Sequence, residues 1–207
     1  MFRTVMSAGD VRAMGDAGVK AELRRELLAG RAKLGPADVA AAGAVLARRA
    51  LETEELAQAR TVAAYVSVGR EPATRALLDA LRARGVRVLL PVLMADNDLD
   101  WAPYEGPDAL VPAGRGLLEP AGERLGPGAV LAADAVLLPG LAVDGRGRRL
   151  GRGGGSYDRV LARLEAADAA PALIVLLYDT EVLAEVPAEA HDRPVRAAVT
   201  PSGVHRY

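Results

Sequence analysis

The sequence predicts an α/β fold, a single-domain three-layer sandwich with a mainly parallel sheet. Three observations carry that expectation. A strand-helix-strand pattern runs through residues 62–92, several short apolar runs have the uniform character of strands buried on both faces, and amphipathic helical stretches lie between them. With 207 residues and a hydrophobic content of 51%, the chain can bury one sizeable core and does not require two independent domains.

The elements follow in order. From Lys20 to Leu34 the apolar residues Leu23, Leu27, Leu28 and Leu34 recur near helical spacing among charges, and Gly35-Pro36 ends the pattern. Pro36 suits the first position of a second helix through Val39, Val45, Leu46 and Ala50. Residues 62–66 are short, apolar and partly β-branched, a strand; after a loop from Ser67 to Pro72 comes a helical stripe of Leu77, Leu78 and Leu81. The run 86–92 is the next strand, which makes the pair parallel with a right-handed crossover. Residues 99–104 predict a further short strand. The Gly- and Pro-rich stretch 106–128 reads as a long surface loop around Gly116 to Pro120, and loops of that length are often functional. Residues 135–138, 173–177 and 195–199 read as the remaining strands. Residues 1–17 are expected to be a disordered extension, with the domain spanning 18–207.

Composition excludes several kinds of function. The net charge of -1 gives no overall attraction to nucleic acid or to an anionic membrane, so neither is expected as a partner. The absence of cysteine removes disulfides, thiolate metal sites and cysteine nucleophiles, and suits a reducing compartment. No apolar run has the length or flanks of a signal peptide or membrane span. A cytoplasmic monomer acting on small molecules is the expectation.

The chemistry concentrates in residues 138–159, which run from a buried strand into a helix. Tyr157, Val160, Leu161 and Leu164 share one helical face, so the glycine run stops where that helix begins. Glycines allow positive φ and close approach, the helix N-terminus presents free N–H groups, and Arg149 and Arg152 add positive charge: a polyphosphate cradle. It is not a Walker loop, because no Gly-Lys-Ser/Thr follows. Nor is it a dinucleotide fingerprint, because Ser156 stands where the Gly151, Gly153 register needs its third glycine.

Residues 144–158 read Asp-x-x-Gly-x-Arg-Leu-Gly-x-Gly-x-Gly-Ser-Tyr-Asp. This resembles the signature of the 5-formyltetrahydrofolate cyclo-ligases at every defined place except Ser156, where the family has Tyr or Phe. Many relatives also carry Lys at the position of Gly154. The resemblance continues in Lys20-Ala21-Glu22-Leu23-Arg24, in Ser67, Glu71 and Thr74, in Gly116 to Pro120, in Val186-Pro187 with His191-Asp192, and in Val199-Thr200-Pro201.

The resemblance implies the architecture called NagB/RpiA/CoA-transferase-like, which ribose-5-phosphate isomerases share. It implies ATP as co-substrate, Mg2+ as cofactor and 5-formyltetrahydrofolate as the other substrate. The formyl oxygen takes the γ-phosphate, N10 attacks the activated carbon, and phosphate leaves. For ATP it implies Lys20, Arg24, Arg149, Gly151, Arg152, Gly153, Gly154, Gly155, Ser156, Tyr157 and Asp158. Tyr157, Arg149 and Arg152 would carry the catalysis, Glu71 and Tyr157 would contact the folate, and Asp158 with Asp144 would hold the metal. Trp101 is added as a folate contact because, like Tyr104, it offers a flat ring for stacking, although core packing competes for both.

Structural roles compete elsewhere too. Lys20 and Arg24 could be solvated charges, Asp158 could complement a helix dipole, Tyr157 could be core, and Ser156 could be an N-cap. His191 and Asp192 are expected to form a turn without catalytic role. Two other functions stay open: a sugar-phosphate isomerase-like enzyme, which needs a general base and no ATP, and a non-catalytic nucleotide-binding module.

Overall fold

The structure, a computed structural model, describes residues 16–187 and 193–207. Three helices come first: α1 (Asp16–Ala32), α2 (Pro36–Leu51) and the single turn α3 (Glu54–Ala57). Pro36 opens α2, and the Asp38 carboxylate accepts the Gly35 N–H at 2.9 Å, satisfying a donor that the helix start leaves free. Asp16 and Ala17 belong to α1; residues 1–15 of the expected extension, and the expected turn at His191 and Asp192, lie outside the described residues.

The main sheet has seven strands: β1 (Thr61–Ala63), β2 (Arg87–Leu93), β3 (Leu99–Pro103), β6 (Ala135–Leu138), β9 (Ala172–Leu176), β11 (Ala197–Val199) and β12 (Val204–Arg206). Their order is β12-β11-β9-β6-β1-β2-β3. The five central strands are parallel, and β3 and β12 close the edges antiparallel. The expected strand-helix-strand unit is β1, α4 (Arg75–Ala83) and β2, with Val62 opposite Val88.

Side chains alternate between the two faces of the sheet, and each face has its own core. Val62, Ala64, Leu137, Ile174 and Ala197 point toward Leu46 of α2, Leu56 of α3 and Leu77, Leu78 and Leu81 of α4. Ala63, Val136, Leu138, Val175 and Ala198 meet Val160, Leu161 and Leu164 of α5 (Ser156–Ala166). Helices on both faces explain why the central strands read as unbroken apolar runs.

The stretch 106–128 is more ordered than a loop. It contains a two-stranded ladder of β4 (Leu110–Pro112) and β5 (Leu118–Pro120), with Leu110 and Leu118 resting against the first core. Three-residue strands in a Gly/Pro context are too short to show an alternation, so their pairing is invisible in the sequence. A small sheet, β10 (Val182–Leu183), β7 (Ala142–Asp144) and β8 (Arg149–Leu150), frames the glycine segment. Leu23 and Leu27 of α1 pack on it through Leu141, Ala142, Leu150 and Val186.

Candidate active site

β1 lies where the chain order of the sheet reverses: the connection from β1 reaches β2 on one side, while β6 flanks it on the other. Crevices at the carboxyl ends of strands at such a reversal are the usual ligand sites of α/β sheets. A cavity of about 370 Å³ opens there, walled by the loop after β1, the end of β2 and the glycine segment after β6.

The loop after β1 is built by reciprocal hydrogen bonds. The Ser67 N–H donates to Thr74 Oγ1 at 2.9 Å, the Thr74 N–H donates to Ser67 Oγ at 3.2 Å, and the Thr74 hydroxyl donates to the Tyr65 carbonyl at 2.8 Å. The helix therefore opens at Arg75, behind Thr74. Inside the loop, Glu71 Oε2 accepts the Val68 N–H at 2.8 Å and Oε1 accepts Arg152 Nη1 at 2.9 Å. Glu71 is 8% exposed, and both of its oxygens are occupied, as a buried carboxylate requires. Across the cavity, Glu119 Oε1 accepts the Leu93 N–H at 2.9 Å and pins β5 to the end of β2.

The glycine segment is held from beneath. Arg149 Nη1 donates to the Pro139 carbonyl at 2.8 Å, and Arg24 Nε donates to the Gly151 carbonyl at 2.9 Å, so α1 is tied directly to the loop. Gly153 has φ +87, and a Cβ there would come within 3.3 Å of the Arg24 guanidinium carbon. Gly155, at φ +77, is the N-cap of α5, which makes Ser156 the first helical residue and not the cap.

A second cavity, of about 340 Å³, lies on the α1 side of the same loop. Lys20, Arg24, Arg149 and Arg193 face it, together with Asp158. Lys20 is buried, and a guanidinium nitrogen of Arg193, Nη1, is buried with no hydrogen-bond partner among the described residues. Arg149, Gly151, Gly153, Gly155 and Asp158 line both cavities, so the two chambers meet at the glycine loop.

Tyr157 lines the first chamber against the second core, its hydroxyl buried and without a hydrogen-bond partner among the described residues. Burial, and after it the negative charge of Glu71, pushes its phenol far above the ordinary range, so it is a protonated donor at any physiological pH. Tyr65, which sequence reasoning missed, lines the first chamber and is shifted up by the same two causes. Arg193 was missed as well; nothing in its local sequence marks it, since folding alone brings it to α1.

Two expected residues are not brought to either chamber. Trp101 is fully buried in the second core on β3, where an apolar ring on an inward strand position belongs. Asp144 is also fully buried, and its oxygens accept the N–H groups of Arg146, Arg148 and Val186 at 2.9–3.1 Å and Arg148 Nε at 2.6 Å. Burial by itself would raise its pKa, but these hydrogen bonds outweigh it and hold the carboxyl below its usual range. Its role is to shape the turn between β7 and β8 and to dock Val186.

Asp158 is different. It sits in the first turn of α5 with an exposed carboxylate 3.5 Å from Arg149 Nη2, at the border of both chambers. Mg2+ is satisfied by one or two carboxylates plus phosphate oxygens and water, so Asp158 fits such an ion and the saturated Asp144 does not. Among the described residues no group of three His, Cys, Asp or Glu side chains forms a metal cluster.

An apolar chamber and a cationic chamber joined by a glycine loop define the class: an α/β enzyme that brings an organic substrate up to a polyphosphate. The comparisons make the assignment specific. Residues 16–201 match the 5-formyltetrahydrofolate cyclo-ligase family. The 5-formyltetrahydrofolate cyclo-ligase of Mycolicibacterium smegmatis is 47% identical over 149 residues, 69% of this chain and 74% of that one. That of Escherichia coli is 31% identical over 167 residues, 80% of this chain and 91% of that one. Among solved structures, the 5,10-methenyltetrahydrofolate synthetase of Aquifex aeolicus superposes with a TM-score of 0.76 at 27% identity, covering 91% of this chain and 92% of that chain. The synthetase of Mycoplasma pneumoniae, 19% identical with a TM-score of 0.67 over 87% of this chain and 97% of that one, shares the fold. This chain belongs to the 5-formyltetrahydrofolate cyclo-ligase family.

Proposed function

We propose that this enzyme closes 5-formyltetrahydrofolate into 5,10-methenyltetrahydrofolate at the expense of ATP, releasing ADP and phosphate. The observation that carries the reading is the shared wall: Arg149, Gly151, Gly153, Gly155 and Asp158 border both chambers, so a phosphoryl group held in one faces a substrate held in the other.

The formyl oxygen is a poor leaving group and must be activated before the ring can close. It attacks the γ-phosphorus as the bond to ADP breaks; N10 then attacks the phosphorylated iminium carbon, loses its proton, and the C–O bond breaks to release phosphate. The protein's task is to position both substrates and to offset charge on the transferring group. Lys20, Arg24, Arg149 and Arg193, with the N–H groups at the start of α5, would receive the phosphates. Tyr157 would donate to the formyl oxygen, and Glu71 would accept from the folate, its bond with Arg152 being exchanged as Arg152 turns to phosphate. Mg2+ held by Asp158 and phosphate oxygens would neutralise the β- and γ-phosphates.

Family membership displaces both the isomerase-like and the non-catalytic reading. The parallel sheet covered on both faces supports kinship with the NagB/RpiA/CoA-transferase-like architecture. Action as a monomer on small molecules in a cytoplasmic setting belongs to the same reading, and the cysteine-free composition suits that setting.

The test is the growth of the product's long-wavelength absorbance when the protein is mixed with 5-formyltetrahydrofolate, ATP and Mg2+. Growth that needs all three, and is lost in folded Tyr157→Ala protein, supports the reading. No growth with ATP binding intact would overturn it.

A further inference from the structure

The first chamber has a wall whose chemistry the reaction does not use. The glycine loop lies in the segment after β6, on one side of β1, whereas β5 is pinned by its Glu119 to the end of β2, on the other side. The reacting atoms N5 and N10 must face the glycine loop. A folate, however, carries from N10 a benzoyl ring and then a glutamate with two carboxylates, and this end must leave away from the phosphates. Leu93, Leu117 and Leu118 line the chamber on the β2 side and offer an apolar bed for the ring. Beside them, at the exposed rim, stands Arg115.

Two features single out Arg115. The first is backbone conformation: it has φ 60 and ψ 23, between Gly114 and Gly116, in the left-handed region that costs a residue with a Cβ about 1 kcal/mol or more. Glycine would adopt this turn without that cost, so the conformation does not account for an arginine here, and an observed outlier of this kind points to the side chain. The second is charge. Three arginines line the chamber; Arg152 is paired with Glu71 and Arg149 with Asp158, whereas the Arg115 guanidinium donates to the neutral amide oxygen of Asn97 at 3.1 Å. Among the described residues no carboxylate pairs with it. An anchored, uncompensated guanidinium at the rim of an apolar chamber is a receptor for a carboxylate.

We propose that Arg115 binds the glutamyl carboxylates of the folate and so makes the enzyme selective for glutamate-bearing substrates. This rests on the cyclo-ligase reading of the site. Arg115 does not touch the reacting atoms; it adds binding that is equal in ground and transition states, which appears in KM and not in kcat.

The experiment compares 5-formyltetrahydrofolate with 5-formyltetrahydropteroate capped as its primary amide, which keeps every reacting atom and carries neither the glutamate nor any carboxylate. With the wild-type enzyme, KM should be about fivefold higher for the pteroate amide. Arg115→Gln should raise KM for the glutamate-bearing folate by about that factor, leave its kcat in place, and produce no shift with the pteroate amide, while Arg115→Lys should recover part of the loss. The wild-type preference should shrink as ionic strength rises, since the pair is exposed. Equal KM shifts for both substrates would mean that Arg115 only shapes the loop, and no shift for either would also overturn the proposal. Calorimetric binding of the two folates to both proteins separates this from the function itself. Absence of turnover with either folate would remove the cyclo-ligase reading, while equal affinities across all four pairings would remove the role of Arg115.

Discussion

Arg152 Nη1 lies 2.9 Å from Glu71 Oε1, so the arginine proposed to receive phosphate is bound to the carboxylate proposed to receive folate. One guanidinium thus has two competing partners. Phosphate that draws Arg152 away leaves Glu71, 8% exposed, in need of a new donor, and the folate N–H groups can supply it. Saturating non-hydrolysable ATP analogue should therefore tighten folate binding by about five- to tenfold, and the reverse titration should give the same factor. Arg152→Gln should abolish that linkage. Titration calorimetry reads both factors, and independent binding in the wild type would refute the coupling.

Tyr157 separates stability from activity. Its buried hydroxyl has no partner among the described residues, so Tyr157→Phe removes an unsatisfied group, keeps the ring in the second core, and should leave stability unchanged or raise it by about 1 kcal/mol. Activity should move the other way, with kcat falling about a hundredfold, the usual effect of losing a donor to a developing negative oxygen. Because burial pushes the phenol upward, its protonated, hydrogen-bond-donating form persists through neutral and mildly basic pH. A limb in the wild-type pH profile near neutrality that vanishes in Tyr157→Phe would contradict this.

The two signature aspartates should fail in different ways. Asp144→Asn disturbs an acceptor of three backbone N–H groups and one guanidinium, and should cost about 2–3 kcal/mol of stability with little change in the Mg2+ concentration giving half-maximal rate. Asp158→Asn should do the reverse, raising the Mg2+ requirement about tenfold at nearly constant Tm. The pH dependence follows from the depressed carboxyl of Asp144. Its stabilisation is fully present above the unfolded-state pKa of about 3.9 and is lost as pH falls through the lower folded-state value. Acid unfolding curves of Asp144→Asn should accordingly be flatter than those of the wild type below about pH 4.

These contrasts show how far the sequence could be read. Pro36 and the run 86–92 placed α2 and β2 almost to the residue, because local signals and the buried sheet agree there. The glycine loop was legible for the same reason, a strand, a flexible cradle and a helix in succession. Asp144 and Trp101 were legible only as residue types: the sequence does not say that one would be saturated by its own turn and the other placed on the inner face of β3. Arg193, Tyr65 and Arg115 became visible only when distant segments met.

The pair formed by Arg31 and Glu181 is a further case, two residues 150 apart in sequence and almost fully buried. Arg31 Nε and Nη2 bind the two carboxylate oxygens at 2.7 and 2.9 Å, Nη2 also donates to the Gly140 carbonyl at 2.7 Å, and the guanidinium lies 5.6 Å from the Tyr178 ring centroid. The pair thereby fastens the last turn of α1 to the Pro139-Gly140 turn that also holds Arg149, and α1 carries Lys20 and Arg24 into the phosphate chamber. Glu181→Gln should cost about 3 kcal/mol, because it leaves a buried guanidinium without its counter-charge. Arg31→Met with Glu181→Leu should regain much of that stability while raising KM for ATP several-fold, since apolar contact restores burial but not the fixed register of α1. Denaturant unfolding and ATP kinetics on the three proteins test the two roles separately. A stable double variant with wild-type KM for ATP would reduce the pair to packing, and an unaltered melting point in Glu181→Gln would remove even that.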